Sequence, residues 1–128
     1  MKKILIIICI IILSIIIIGS IAYNKINKNL QSLEDIKVST IDLGLLDDGV
    51  YQGSYAVFPV KVKVEVDIKD HKIENIKIIE HDNGKGKAAE EIIETIKERQ
   101  TIDVDIIAGA TYSSRVIQKA IEAALLKK

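Results

Sequence analysis

Val60, Val62, Val64, Val66 and Ile68 alternate with Lys61, Lys63, Glu65 and Asp67. A period of two sends successive side chains to opposite faces, so residues 60–68 predict a β-strand with one buried face and one wet face. Lys69-Asp70-His71 supplies a turn. Residues 72–80 predict a second strand and hence an antiparallel hairpin. The alternation slips between Ile73 and Ile76, which predicts a bulge there. Pro59 has no N–H to donate to a ladder and marks the strand edge. Residues 50–55 read as a further short strand. Residues 101–107 read as another, with Ile102 and Val104 facing one way.

The period then changes. Ala88, Ala89, Ile92, Ile93 and Ile96 form the inner face of a helix, with Glu90, Glu91, Glu94, Lys97 and Glu98 outside. Val116, Ile117, Ala120, Ile121, Ala124 and Leu125 recur at i, i+1, i+4, i+5, i+8 and i+9, one face of a second helix. The fold expected is α+β: a small antiparallel sheet with two helices packed on one face.

A different pattern opens the chain. Residues 4–22 are 19 positions without a charge, mostly isoleucine, after Lys2 and Lys3. As a helix at ~1.5 Å per residue they span about 28 Å, close to the apolar thickness of a bilayer. The preceding lysines predict a cytoplasmic start and a domain on the extracytoplasmic side of the cell membrane. Lys25 and Lys28 beyond the run reduce that asymmetry. A cleaved signal peptide is the alternative, since Ser20-Ile21-Ala22 fits a small-x-small site. The apolar run exceeds the ~7–15 residues usual for such a signal, however, and an uncleaved single-pass anchor is favoured. The division expected is an N-terminal transmembrane anchor over 1–23, a polar linker over 24–47 and a folded domain over 48–128. Leu30, Leu33 and Ile36 are spaced to continue a helix from the membrane.

Charge and composition narrow the function. Eighteen basic and eighteen acidic residues give zero formal net charge, with four Tyr, one Phe and no Trp. There is no electrostatic case for nucleic acid and no stacking platform for bases. The single cysteine, Cys9, lies in the apolar run, so the domain carries no thiol and makes no disulfide. His71 and His81 have no ligand spacing around them, and no metal site is expected.

The chemistry concentrates before the last helix. Asp105, Gly109, Ala110, Thr111, Tyr112, Ser113 and Ser114 stand at its entry. Free backbone N–H groups and the positive end of the helix dipole favour an anion such as phosphate there. Gly109 and Ala110 let a ligand approach the backbone. The competing reading is plain loop and cap chemistry, since Ser and Thr are ordinary helix caps. Gly84 and Gly86 form a second helix-entry loop of the same kind, with weaker signal. His81 beside them is a candidate hydrogen-bonding partner or simply a partly exposed loop histidine. Asp105 is either a turn residue doing local work or a contact for a bound ligand.

The string Gly109-Ala110-Thr111-Tyr112-Ser113-Ser114 resembles the FMN-binding domain family. Asp105 lies four residues before the glycine, and an alanine-rich amphipathic run follows. This domain occurs in the flavin subunits of the Rnf and Nqr redox complexes and in small membrane-tethered proteins. Its signature is a hydroxyl residue, Gly, Ala, a hydroxyl residue, any residue, and a hydroxyl residue. Asp48-Gly49-Val50-Tyr51-Gln52-Gly53 also looks like the way the domain commonly opens. The resemblance implies FMN as cofactor. It further implies a flavin transferase as partner and Ser113 as the hydroxyl esterified by the flavin phosphate. Ala108 departs from the pattern, which expects a hydroxyl there, so covalent and noncovalent FMN both stay open. The role implied is a membrane-anchored electron carrier rather than a stand-alone catalyst. It would work between a redox donor and an acceptor, protein or quinone. A cofactor-free cell-surface interaction domain is the alternative of another class.

Overall fold

The computed structural model describes residues 1–34, 36–82 and 87–126. Helix α1 (Lys2–Glu34) is followed by a short 3-10 turn (Leu43–Leu45). Then come strands β1 (Gly49–Val57), β2 (Val60–Lys69) and β3 (Lys72–Asp82), and helices α2 (Lys87–Glu90), α3 (Ile92–Arg99) and α4 (Thr111–Leu126). The alternation over 60–68 becomes the central strand of a three-stranded antiparallel sheet in the order β1-β2-β3. Val62, Val64 and Val66 are fully buried, while Lys61 is exposed and Lys63, Glu65 and Asp67 are only partly covered.

Two irregularities shape β3. The pairing slips between Asp67 and Ile68, where the bulge was expected, and again between Lys63 and Val64. The inward strand positions Ile68, Val66, Val64 and Val62 therefore face Ile73, Ile76, Ile78 and His81. Those four are spaced three, two and three residues apart, so only the two bulges bring them onto one face. The second bulge is what turns His81 into the core layer.

Helix α4 lies across β1 and β2, and α3 across β3, on the same face of the sheet. The closest approach is at Gly53. A Cβ there would stand 2.3 Å from the Ala120 carbonyl oxygen and 2.3 Å from the Ala124 amide nitrogen. The helix backbone thus rests directly on the strand backbone. This contact also sets direction. Leu125 and Leu126 line a groove with Tyr51, Leu45 and Leu46. The C-terminal end of α4 is therefore at the Tyr51 end of β1, and its N-terminus points toward the Val57 end.

One expectation is corrected. Residues 101–107 are not a strand: no ladder forms, and the Val104 amide donates instead to the Ile102 carbonyl at 2.9 Å. Ile102 and Val104 are buried as their alternation implied. Their carbonyls are met by the buried Gln118 side chain, whose Nε2 donates to both at 3.0 and 2.8 Å. A side chain has replaced the neighbouring strand. The polar segment before the domain, read as a linker, packs on it. Leu33 is fully buried, and Ile36, Val38, Ile41, Leu43 and Leu46 lie against the core. The Ser39 amide donates to Glu122 Oε1 at 2.8 Å. Burial opposes the charge of Glu122. The Lys119 ammonium and Ser39 outweigh it and hold the carboxyl below its ordinary range.

Candidate functional site

The entry to α4 is built around one tight turn. The Ala110 amide donates to the Ile107 carbonyl at 3.0 Å, with Gly109 between them at φ +78°. A positive φ at the third position of such a turn is the conformation glycine adopts without strain. Nothing stands within 4 Å of where a Gly109 Cβ would be. The glycine therefore serves the turn and also leaves its outer side open.

The three hydroxyls of the motif are in different situations. Ser114 is fully buried. Its Oγ donates to the Ala110 carbonyl at 2.8 Å and accepts from the Ile107 amide at 3.3 Å. Ser114, expected among the cofactor contacts, instead braces the turn from inside, because its position on the helix faces the core. Ser113 is also on the inner side, 3% exposed. Thr111, the first residue of the helix, is half-buried and reaches the surface. Tyr112 is half-buried against the core, and Ala110 is 2% exposed. Asp105 is exposed and makes no hydrogen bond to the turn backbone among the described residues.

Among the described residues, neither Thr111 nor Ser114 offers an oxygen to the first amides of the helix. The residue before Thr111 is Ala110, which has no side-chain acceptor to offer. The amides of Thr111 and Tyr112 have no carbonyl one turn earlier and find no acceptor among the described residues. Donors aligned at the positive end of a sixteen-residue helix are suited to an anion.

Two buried side-chain nitrogens without a hydrogen-bond partner among the described residues belong to this part of the fold, His81 Nε2 and Arg115 Nε. The His81 side chain is 6% exposed, with Nδ1 3.5 Å from Glu90 Oε1 in α2. His81 pairs with Val62, which pairs with Tyr55. That is the end of the sheet toward which the N-terminus of α4 points, and α2 packs on α4. The expectation of a loop histidine is corrected: His81 is in β3, and the second bulge turns its side chain inward, although the residue as a whole stays partly exposed. Gly84 and Gly86 lie outside the described residues.

Arg115 was not singled out by sequence. It sits four residues after Thr111 on one helical turn, and its Nη1 donates to Gln118 Oε1 at 3.2 Å. Gln118 was missed too. Its signal is the row Ser114, Gln118, Ile121, Leu125, at spacings of four, three and four, which puts a polar side chain in line with apolar ones.

The arrangement offers open amide donors, an arginine one turn away, and a buried imidazole nitrogen with unmet hydrogen-bonding capacity. Buried polar atoms are nearly always paired, so such an atom calls for a partner. A model of the FMN-binding domain family matches residues 58–126, more than half of the chain. No curated protein matches it. FMN fits these residues chemically. Its phosphate matches the α4 amides, and its ring and ribityl groups can hydrogen-bond an imidazole nitrogen. On the family match and this fit together, the chain belongs to the FMN-binding domain family, with FMN as its cofactor.

Proposed function

We propose that this protein is a membrane-anchored flavoprotein that holds FMN at the N-terminus of α4 and carries electrons between redox partners outside the cytoplasm. The observation that carries this reading is the start of α4, where the Thr111 and Tyr112 amides have no acceptor among the described residues. A flavin supplies the redox chemistry when bound, and the protein supplies position and surroundings. Thr111 and Tyr112 donate to the phosphate. Arg115 balances its charge from the next turn. His81 offers Nε2 to a polar group of the cofactor. The domain has a single modest core, which favours a cofactor open to partners over an enclosed reaction chamber. Helix α1 is long and apolar enough to cross a membrane. Lys2 and Lys3 before it support a cytoplasmic N-terminus.

The covalent link is part of the proposal, and geometry favours Thr111 as the acceptor over Ser113. Esterification needs an accessible hydroxyl. Ser113 is 3% exposed and faces inward, while Thr111 reaches the surface beside the open amides. Noncovalent binding at the same place is the second reading, favoured by Ala108 standing where the family expects a hydroxyl. Intact mass of the full chain co-expressed with a flavin transferase tests both. The expected result is a gain of one FMN moiety that Thr111→Ala abolishes and Ser113→Ala preserves. Loss on Ser113→Ala alone would return the acceptor role to Ser113. Flavin that co-purifies but washes out on a denaturing gel would establish the noncovalent reading. A colourless chain at saturating FMN would defeat the flavoprotein assignment.

A further inference from the structure

The membrane-span candidate α1 and the domain meet at a defined place. Along the apolar run, the large side chains from Ile4 to Ile21 are 47% to 66% exposed, as on a helix with nothing beside it. Cover begins at Ile26, which is half-buried, and is complete at Leu33. Between them, Asn29 Nδ2 donates to the Phe58 carbonyl at 3.4 Å. The loop joining β1 to β2 therefore lies against α1 just past the apolar run.

Depth follows from helix geometry. Four residues separate Ala22 from Ile26, about 6 Å along the axis. The headgroup layer of one leaflet is about 5–7 Å thick, taking ~40–45 Å overall and ~30 Å of hydrocarbon. The half-buried Ile26 and the loop that reaches Asn29 thus sit at or just above the headgroups. Phe58, in that loop, is 64% exposed, and Tyr23 on α1 is 65% exposed. Beyond this point the chain runs away from the membrane. Leu33 enters the core, Ser39 meets Glu122, and Ile41 reaches Leu125 at the far end of α4. The β1–β2 loop is accordingly the part of the sheet nearest the bilayer.

We propose that the exposed Phe58 ring at the β1–β2 loop inserts into the bilayer interface, giving the domain a second membrane contact beside α1. The proposal rests on the reading of α1 as a bilayer span. Its occupant is lipid. Tyr23 stands at the level where aromatic side chains gather, and Asn29, about 10 Å along the axis from Ala22, holds the Phe58 loop a few ångströms above the headgroups, within the reach of a phenylalanine side chain. The consequence is orientation: the end of the sheet that carries His81 and the start of α4 faces the membrane.

The chain contains no tryptophan, so Phe58→Trp creates a single reporter. Leu45→Trp, at a position 83% exposed at the other end of β1, is the control. Each full-length variant is reconstituted into phosphatidylcholine vesicles, with and without bromine on the acyl chains, after its thermal melt is matched to the parent. The expected result is a blue-shifted F58W emission that loses most of its intensity to brominated lipid, while L45W keeps its own. Unquenched F58W in a chain that floats with the vesicles overturns the proposal and leaves the anchor intact. So does equal quenching of both reporters. Failure to float with the vesicles overturns the anchor reading and the proposal with it.

Discussion

Gly53 is the residue on which the packing of the domain turns. Its missing side chain lets α4 touch β1 through backbone atoms, with the Ala120 oxygen and Ala124 nitrogen where a methyl would be. The obstructing atoms belong to a helix backbone and cannot rotate aside. Gly53→Ala is expected to lower stability by at least about 1–3 kcal/mol, the usual cost of overpacking. A denaturant melt of the detergent-solubilised chain would show it as a lower midpoint with an unchanged slope; an unshifted midpoint would mean that the helix can lift off without cost. The hydroxyls of the motif make the complementary point. Three residues of similar chemistry stand within four positions, and helical phase alone does not sort them: Thr111 and Ser114 are three apart and share a side of the helix, yet only Ser114 is fully covered, because Thr111 is the helix's first residue. Ser114 faces in and braces the turn, Ser113 faces in, and Thr111 reaches out.

At the level of the element, α4 does two jobs on two faces. One face packs the sheet. The other organises the 101–107 segment through Gln118, whose Nε2 holds the Ile102 and Val104 carbonyls and whose Oε1 receives Arg115. Gln118→Leu would leave the buried Val104 carbonyl unmet, remove one of the two donors on the Ile102 carbonyl and free the arginine, costing about 1–3 kcal/mol. If Arg115 serves the flavin phosphate, the same change also weakens FMN relative to riboflavin, which has no phosphate; titration with both separates the two effects. The far end of α4 carries a pH dependence. The Glu122 carboxyl is held below its ordinary range in the folded state, so its stabilisation is present above the unfolded value of about 4.3 and is lost as pH falls through the folded value. Acid unfolding of Glu122→Gln should therefore fall less steeply below about pH 4.3 than that of the parent. Parallel acid limbs would show that the Lys119 and Ser39 contacts contribute nothing to folding.

For the whole molecule, the segment between the membrane run and the domain matters most. It is no free tether: Asn29 holds the β1–β2 loop, Leu33 enters the core, and Ser39 is bonded to Glu122. Short, bonded connections restrict the orientations open to the domain. An FMN at the start of α4 would then lie on the side toward the bilayer, within reach of a quinone or a membrane-embedded partner. Reconstituted with a membrane reductant, the flavin-loaded chain should be reduced faster in vesicles than in detergent at equal concentrations. Equal rates would argue that orientation plays no part.

The single helix read over residues 88–96 is broken at Glu91 into α2 and α3, whereas the sequence alone determined the central strand, the last amphipathic helix, the apolar run, the first bulge and the flavin motif. Each is a local pattern, repeating at the period of its own element or carried by consecutive residues. It did not reveal that residues 101–107 forgo a strand, since their alternation only says which side chains are buried. What satisfies the Ile102 and Val104 carbonyls is a glutamine sixteen residues from Ile102. Nor could it rank Thr111 above Ser113, bury the His81 side chain, or place Phe58 beside Asn29. Those outcomes depend on a second bulge, on the helix resting at Gly53, and on contacts between segments far apart in the chain, which only the tertiary structure decides.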